Sequence, residues 1–406
     1  MRRTVVALTS GVLLLTAATP AQAAGPAASL GATLGAILAT SGSTGMSVRV
    51  DVAGRGEVFA HTAPTAVAPA STEKVITAFA ALRVLGPTYR FATSLGSVVA
   101  PDRNGTIHGR LVLSAGGDPT LTRAGLVALG RQLRSSGIHA VTGGLQLDDS
   151  RLSRVRRAAG WKSKWVPGEV GPLSALAVNR NSWRTDASYL ADPSPGNLQA
   201  VRAALASAGV TVDGPLTVGR STAPLHPLAR VLSAPLAAIV HDMLKQSVNF
   251  DAEMLLEAVG AQAGNGTPAG GVAAVRAQAA ALHVQLGGNI EDGSGLSSFD
   301  RVTADGQVTW LEAAMTSALG ATLFAGLPVA CVDGTLIHRF CGTAAAGRVH
   351  AKTGTLDGTR ALTGFVTDAA GHRVTFAFLV GGPPSTATRA KAAIDKAVLA
   401  LTASHL

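Results

Sequence analysis

Apolar residues recur at helical spacing in some stretches of this chain and alternate with polar ones in others. Ala28 to Thr40 is rich in Ala and Leu and predicts a helix. Met46-Ser-Val-Arg-Val-Asp51 alternates, turns at Gly54-Arg-Gly56 and resumes over Glu57-Val-Phe-Ala60, which predicts a hairpin. Val75, Ile76, Phe79 and Leu82 then mark the buried stripe of a helix from Ser71 to Leu85, stopped by Gly86-Pro87. From about Phe91 the character changes. Short β-like runs at Gly109 to Ser114 and Gly144 to Asp148 bracket a helix near Arg123 to Arg134, with a turn at Gly116-Gly117-Asp118-Pro119. Helical periodicity returns near Ala234 to Gln246 and Asp251 to Val259. Three strands follow, at Gly347 to Ala351, Ala361 to Thr367 and Arg373 to Val380, the last two joined around Ala369-Ala-Gly-His372. An amphipathic helix near Ser385 to Leu406 closes the chain.

This order predicts an α/β chain of the α+β type. Strands from the two ends share one antiparallel sheet flanked by helices, and the middle forms an inserted domain after the Ser71 helix. The predicted division is a signal peptide over residues 1–23, a catalytic domain over 24–96 and 219–406, and an inserted domain over 97–218.

The first segment has the order of a secretory signal. Arg2 and Arg3 are basic, Val5 to Leu15 is mostly apolar, and Ala21-Gln22-Ala23 is a small-residue cleavage site. Cleavage between Ala23 and Ala24 is expected, with a retained anchor as the alternative. The protein is therefore expected to be secreted, or extracytoplasmic in the cell envelope. The formal charge of +10 falls to +8 when Arg2 and Arg3 are removed. Such an exported basic protein is drawn to anionic cell-wall polymers. No nucleic-acid partner is expected: there is no recognition motif and no lysine-rich tract, and aromatics are few. The histidines are scattered and no H-E-x-x-H is present, so no metal site and no cofactor are expected. Cys331 and Cys341 are an even pair in an exported chain and read as a disulfide, with two buried free thiols as the alternative.

Three short motifs carry the chemistry. They are Ser71-Thr72-Glu73-Lys74, Ser247-Val248-Asn249 and Lys352-Thr353-Gly354-Thr355. Each alone is weak. The basic residues, however, are overwhelmingly arginine, and two of only seven lysines fall in S-x-x-K and K-T-G. Ser71 and Lys74, three apart at a helix start, share one face. A serine hydroxyl needs a nearby base, and Lys74 can be that base if burial and a second cation, Lys352, lower its pKa. Ser247 can bridge the two lysines and pass a proton to a leaving amine. Asn249 can hold a substrate amide, and Thr353 and Thr355 a carboxylate. Backbone N–H groups of Ser71 and of the strand after Lys352 can form an oxyanion hole. Without the other motifs, Ser71 would read as an N-cap.

The set is the signature of penicillin-recognising serine enzymes. The chain resembles the D-alanyl-D-alanine carboxypeptidase/endopeptidase group, the low-molecular-mass class C penicillin-binding proteins. Asp292-Gly-Ser-Gly-Leu-Ser297, Asp333-Gly-Thr-Leu336, Gly117-Asp118-Pro119-Thr120 and Ser174-Ala-Leu-Ala-Val-Asn179 resemble segments of that group, so the likeness covers most of the mature chain. It implies a β-lactamase/transpeptidase-like catalytic domain with an insertion, and hydrolysis of D-alanyl bonds in peptidoglycan stem peptides through an acyl-enzyme. It implies Ser71 as nucleophile, Lys74 as base, Ser247 as proton relay and Asn249, Lys352, Thr353 and Thr355 as substrate contacts, with β-lactam antibiotics as inhibitors. Two features depart from the group. Arg often follows G-L-S, whereas here Ser298 does and the nearest arginine is Arg301. The insertion is also short, which predicts a reduced or missing third domain.

Two other functions compete. In a class A β-lactamase the motifs sit closer together; here 176 residues separate Ser71 from Ser247, and no E-x-x-x-N element stands between them. A catalytically silent cell-wall-binding protein would show an eroded catalytic position, and none is eroded.

Overall fold

The computed structural model describes Met1 and residues 26–406; the signal segment expected over residues 1–23 and the cleavage expected between Ala23 and Ala24 fall outside the described residues, Met1 apart. A five-stranded antiparallel sheet runs in the order Val349–Leu356, Thr359–Thr367, Arg373–Gly381, Gly45–Val52, Gly56–His61. Strands from the two ends of the chain thus share one sheet. They join where Gly45 pairs with Gly381 and Val52 with Val374.

Side chains alternate along each strand, and here both faces are covered. Val374, Phe376, Phe378 and Val380 meet Leu34, Leu38, Ile394 and Val398 of helices Pro26–Ala39 and Ala387–Ala403. Leu379, Ala361 and Phe365 face a second core around Phe79, Leu82 and Trp310. A strand covered on both sides must be apolar at nearly every position, which is why Phe376 to Val380 reads as an unbroken apolar run.

The helix Glu73–Leu85 runs through this second core, buried from Glu73 to Leu82. Phe79 sits edge-on to Trp310, with ring centroids 5.0 Å apart. Fully burying such a ring contributes roughly 1.5–3 kcal/mol. The helix stops at Gly86, whose φ of 87° is open to glycine alone at little cost. Helices Leu236–Gln246, Asn249–Gln262, Pro268–Ala281 and Ala304–Met315 pack around it.

Between these helices the chain builds a separate sheet in the order His226–Leu232, Ala92–Ser97, Leu111–Ala115, Leu145–Asp148, Leu216–Val218. Its first two pairings are antiparallel and the others parallel. A small parallel sheet of Thr106–Ile107, Ala140–Val141 and Thr211–Val212 accompanies it. Helices Arg123–Ser135 and Ser194–Ser207 cover this unit through Leu126, Leu129, Leu133, Leu198, Val201 and Leu205. Phe250, Met254 and Leu296 join the same core, so the inserted unit is packed directly against the helix that follows Ser247.

Candidate active site

Two strained turns carry the two motif serines. Ala70 is left-handed (φ 48°) and opens a 3-10 turn, Ala70–Thr72, which runs into the helix Glu73–Leu85. Ser247 is itself left-handed (φ 57°) and ends the helix Leu236–Gln246; Asn249 begins the next. Such residues cost on the order of 1–3 kcal/mol each and persist only where packing holds them. The packing here is close. A Cβ on Gly354 would lie 2.7 Å from the Pro69 carbonyl oxygen, and one on Gly295 only 1.9 Å from that of Ala70. The K-T-G strand and the Asp292–Ser297 loop therefore clamp the Ser71 turn from two sides, and only glycine allows the approach.

Lys74 is fully buried. Its Nζ lies 2.9 Å from Ser71 Oγ, 2.6 Å from Asn249 Oδ1 and 2.8 Å from the Ser294 carbonyl oxygen. Ser71 is not a cap: the cap of the following helix is Thr72, with no side-chain bond. Asn249 is fixed at both ends, because its Nδ2 donates to the Glu169 carbonyl at 3.0 Å. A neutral amine has two N–H donors and one lone pair. The two carbonyl-type oxygens accept the donors, so the lone pair faces the Ser71 hydroxyl. This is the arrangement a general base needs.

Burial pulls the Lys74 ammonium down to about 8, against the upward pull of Asp292, Glu253, Glu73 and Glu169. Lys352, also fully buried, is held well below an ordinary lysine, first by burial and then by the charge of Lys74. Burial, rather than the second cation, is thus the leading cause of the Lys74 shift. Lys352 Nζ donates to Ser247 Oγ at 2.8 Å and to the Thr353 carbonyl at 3.0 Å. The chain places Ser247 against Lys352, while Lys74 is held by Ser71, Asn249 and Ser294.

Strand alternation puts Thr353 and Thr355 on one face and Lys352 and Gly354 on the other. Ser71, Ser247, Asn249, Thr353 and Thr355 line one cleft of about 880 Å³, with Trp165 and Glu169 of the inserted unit at one wall. The segment between Cys331 and Cys341, which are joined as a disulfide with their Cα atoms 4.9 Å apart, also lines the cleft. Thr335, Ile337, His338 and Arg339 of that segment face the cleft. The Thr335 and Thr353 hydroxyls hydrogen-bond at 2.8 Å, and Lys245 grips both oxygens of Asp333 at 2.8 and 2.7 Å.

Sequence reasoning missed several groups here. Ser294 contributes through its main chain, which has no residue-type signature. Trp161, Trp165 and Glu169 arrive from the inserted unit. Glu73, Glu253 and Asp300 are buried carboxyls near Asp292. Burial pushes Glu73 up to about 8, Glu253 well above an ordinary carboxylate and Asp300 up to about 11, with the charge of Asp292 adding to each. A helix-face glutamate normally reads as solvated, so nothing in the spacing revealed them. Among the described residues no group of His, Cys, Asp and Glu is arranged to hold a metal ion.

The family model described as D-Ala-D-Ala carboxypeptidase 3 (S13) matches residues 33–201 and 189–404. The chain belongs to this S13 family. It is 31% identical over 417 residues to a D-alanyl-D-alanine carboxypeptidase of Actinomadura sp. (strain R39), covering 82% of this chain and 77% of that protein. It is 31% identical over 367 residues to carboxypeptidase DacB of Mycolicibacterium smegmatis, covering 83% and 77%. The fold of this S13 peptidase is similar to that of penicillin binding protein 4 from Haemophilus influenzae. The TM-score is 0.79 at 22% identity, over 90% of this chain and 99% of that one. The S13 membership makes the protein a serine peptidase and favours the carboxypeptidase reading over the β-lactamase and silent-binder alternatives.

Proposed function

We propose that this S13 peptidase hydrolyses D-alanyl bonds of peptidoglycan stem peptides through an acyl-enzyme on Ser71. The observation that carries the reading is the Lys74 amine, turned by Asn249 and Ser294 toward the Ser71 hydroxyl. Lys74 takes the hydroxyl proton as Ser71 Oγ attacks the carbonyl carbon. The oxyanion is met by the backbone N–H groups of Ser71 and of the strand after Lys352. Collapse breaks the C–N bond, and the leaving amine of D-alanine receives a proton from Ser247, re-supplied from Lys352. Lys74 then hands the proton it took to Lys352 through the solvent of the cleft, so that it is neutral again when water attacks the acyl-enzyme. Water gives Lys74 a proton, and Lys74 returns it to Ser71 Oγ as the acyl C–O bond breaks and frees the shortened stem. Lys352, Thr353 and Thr355 hold the terminal carboxylate, and Asn249 the substrate amide.

β-Lactams imitate the scissile amide and acylate the same hydroxyl. The Haemophilus relative has been solved with a bound β-lactam, at a TM-score of 0.72 and 22% identity. The substrate places the enzyme outside the cytoplasm, reached through the segment of residues 1–23. Among the described residues no helix is long and apolar enough to cross a membrane. The charge of +8 left after cleavage favours anionic wall polymers as a secondary contact.

The test is incubation of the mature protein with defined muropeptides, products identified by mass, beside labelling with a fluorescent penicillin. The parent should release D-alanine and carry a long-lived adduct. Folded Ser71→Ala should do neither; an adduct retained in that variant would refute the assignment of Ser71.

A further inference from the structure

Asp292 has no place in the chemistry above, yet it is fully buried beside it. One of its oxygens accepts the backbone N–H of Ser294 at 3.0 Å and of Gly295 at 2.6 Å. The other accepts the N–H of Ser297 at 2.7 Å and the indole Nε1–H of Trp161 at 2.8 Å. Four N–H donors converge on one carboxyl group, whose oxygens therefore act only as acceptors, as those of a carboxylate do. The loop so folded is tied down again on its other side. The Gly293 N–H donates to Glu253 at 3.1 Å, and the Gly293 carbonyl accepts from Thr77, one turn beyond Lys74, at 2.7 Å.

The outcome of this folding is one orientation of one carbonyl. Ser294 sits where its oxygen takes an N–H from Lys74. Without that acceptor, one of the amine's two donors is free and nothing keeps its lone pair on Ser71. We propose that Asp292 is a positioning residue for the base: it folds the 292–297 loop so that the Ser294 carbonyl, together with Asn249, turns the Lys74 amine toward Ser71, and Trp161 makes the inserted unit a working part of that device. This rests on the role given to Lys74 in the proposed function.

Asp292 acts on Lys74 in two ways: its charge moves the titration, and its hold on the Ser294 carbonyl sets the acylation plateau. The groups facing Lys74 are Glu73 on its own helix, Glu253 and Asn249 on the helix Asn249–Gln262, Asp292 on the loop, Glu169 on the inserted unit and Lys352 on the K-T-G strand; Asp300 acts on Asp292 and Glu73, and Arg276 acts on Glu73 from the helix Pro268–Ala281. Asp292 is the largest of the charges that favour the ammonium. Removing it must lower the midpoint of Lys74. Asp300 holds its proton already, so exchanging it for an amide changes no charge.

The experiment reads Lys74 in two ways. One is ¹³Cε-lysine NMR titration of the mature protein, practical with seven lysines and assigned with Lys74→Arg. The other is the pH dependence of acylation by a chromogenic β-lactam. In Asp292→Asn the Lys74 midpoint should fall by about one pH unit, and the acylation plateau by about tenfold or more. In Trp161→Phe the ring stays but the N–H is lost. The Asp292 charge is then less compensated, so the midpoint should rise, by about half a unit. Asp300→Asn should leave it in place. A parent-like acylation plateau in folded Asp292→Asn overturns the proposal, as does an unmoved midpoint; should that variant not fold, an unmoved midpoint in Trp161→Phe does. So does an equal shift in Asp300→Asn. If the midpoints move as stated while the parent is never acylated, the proposed function fails and the positioning of Lys74 stands.

Discussion

Lys352 Nζ donates to Ser247 Oγ across 2.8 Å, although 105 residues separate them in the chain. A second serine–lysine pair, Ser71 and Lys74, is 2.9 Å apart and only three residues apart in sequence. The site is two such pairs, one local and one assembled by the fold, each with its lysine removed from water.

Lys352→Ala should slow acylation more than it weakens binding. An interaction made mainly in the transition state lowers kcat and kcat/KM together. The loss should be about 2–4 kcal/mol in barrier terms, as for a preorganised electrostatic group. Lys352→Arg should not restore the rate, because a planar guanidinium cannot occupy the space of a compact ammonium between Ser247 and the Thr353 carbonyl. Stopped-flow acylation compares the three proteins. Parent-like rates in Lys352→Ala would remove the K-T-G segment from the chemistry.

Acylation should rise with pH and level off above about 8. Lys74 acts as a base only when neutral, and burial brings its ammonium down to about 8. Below that pH the neutral fraction falls tenfold per unit, and the rate with it. Glu73 titrates in the same range, so the midpoint belongs to the pair. A rate independent of pH between 6 and 9 would argue against Lys74 as the base.

Asn249→Asp should move the same limb upward. The substitution keeps an acceptor for Lys74 but adds a negative charge 2.6 Å from its Nζ, which favours the ammonium. It also sets a carboxylate oxygen against the Glu169 carbonyl, where Nδ2 donated at 3.0 Å. The acid limb should rise by about one unit or more and the plateau should fall. A limb that moves downward would mean that Asn249 does not face the lysine in the working enzyme.

Glu257 offers a test on stability instead of activity. It is buried, and burial pushes its carboxyl up to about 8 from the usual 4.5. One oxygen has no hydrogen-bond partner, and the other is 3.4 Å from the Ser153 hydroxyl. A carboxyl raised in the fold stabilises it fully below the unfolded value. That contribution is lost as pH rises through the folded one, across 4.5 to 8. Glu257→Gln is neutral throughout. It should match the parent in urea unfolding at pH 5 and exceed it by about 2–4 kcal/mol at pH 8.5. The same difference at both pH values would show that ionisation of Glu257 is not what limits stability.

The local part of the site was legible in the sequence alone. Three-residue spacing brings Ser71 to Lys74 on any helical turn, and the period of two divides Lys352 and Gly354 from Thr353 and Thr355 on any strand. The alternating hairpin near the N-terminus and the strands near the C-terminus were enough to expect one shared antiparallel sheet. The pairing of Cys331 with Cys341 needed only a short segment that doubles back, as this one does.

What the linear pattern could not show were relations created by closure. Tertiary packing alone decided that Lys74 answers to Asn249 and the Ser294 carbonyl, because a main-chain oxygen has no letter in the sequence and its direction depends on how Asp292 folds the loop around it. Packing also decided that Trp161, Lys162 and Glu169 of the inserted unit reach Asp292, Asp357 and Asn249. And it decided that Glu73 and Glu253 lie dry beside the base. A sequence records which groups can ionise; which of them lose water is settled only when the chain has closed over them.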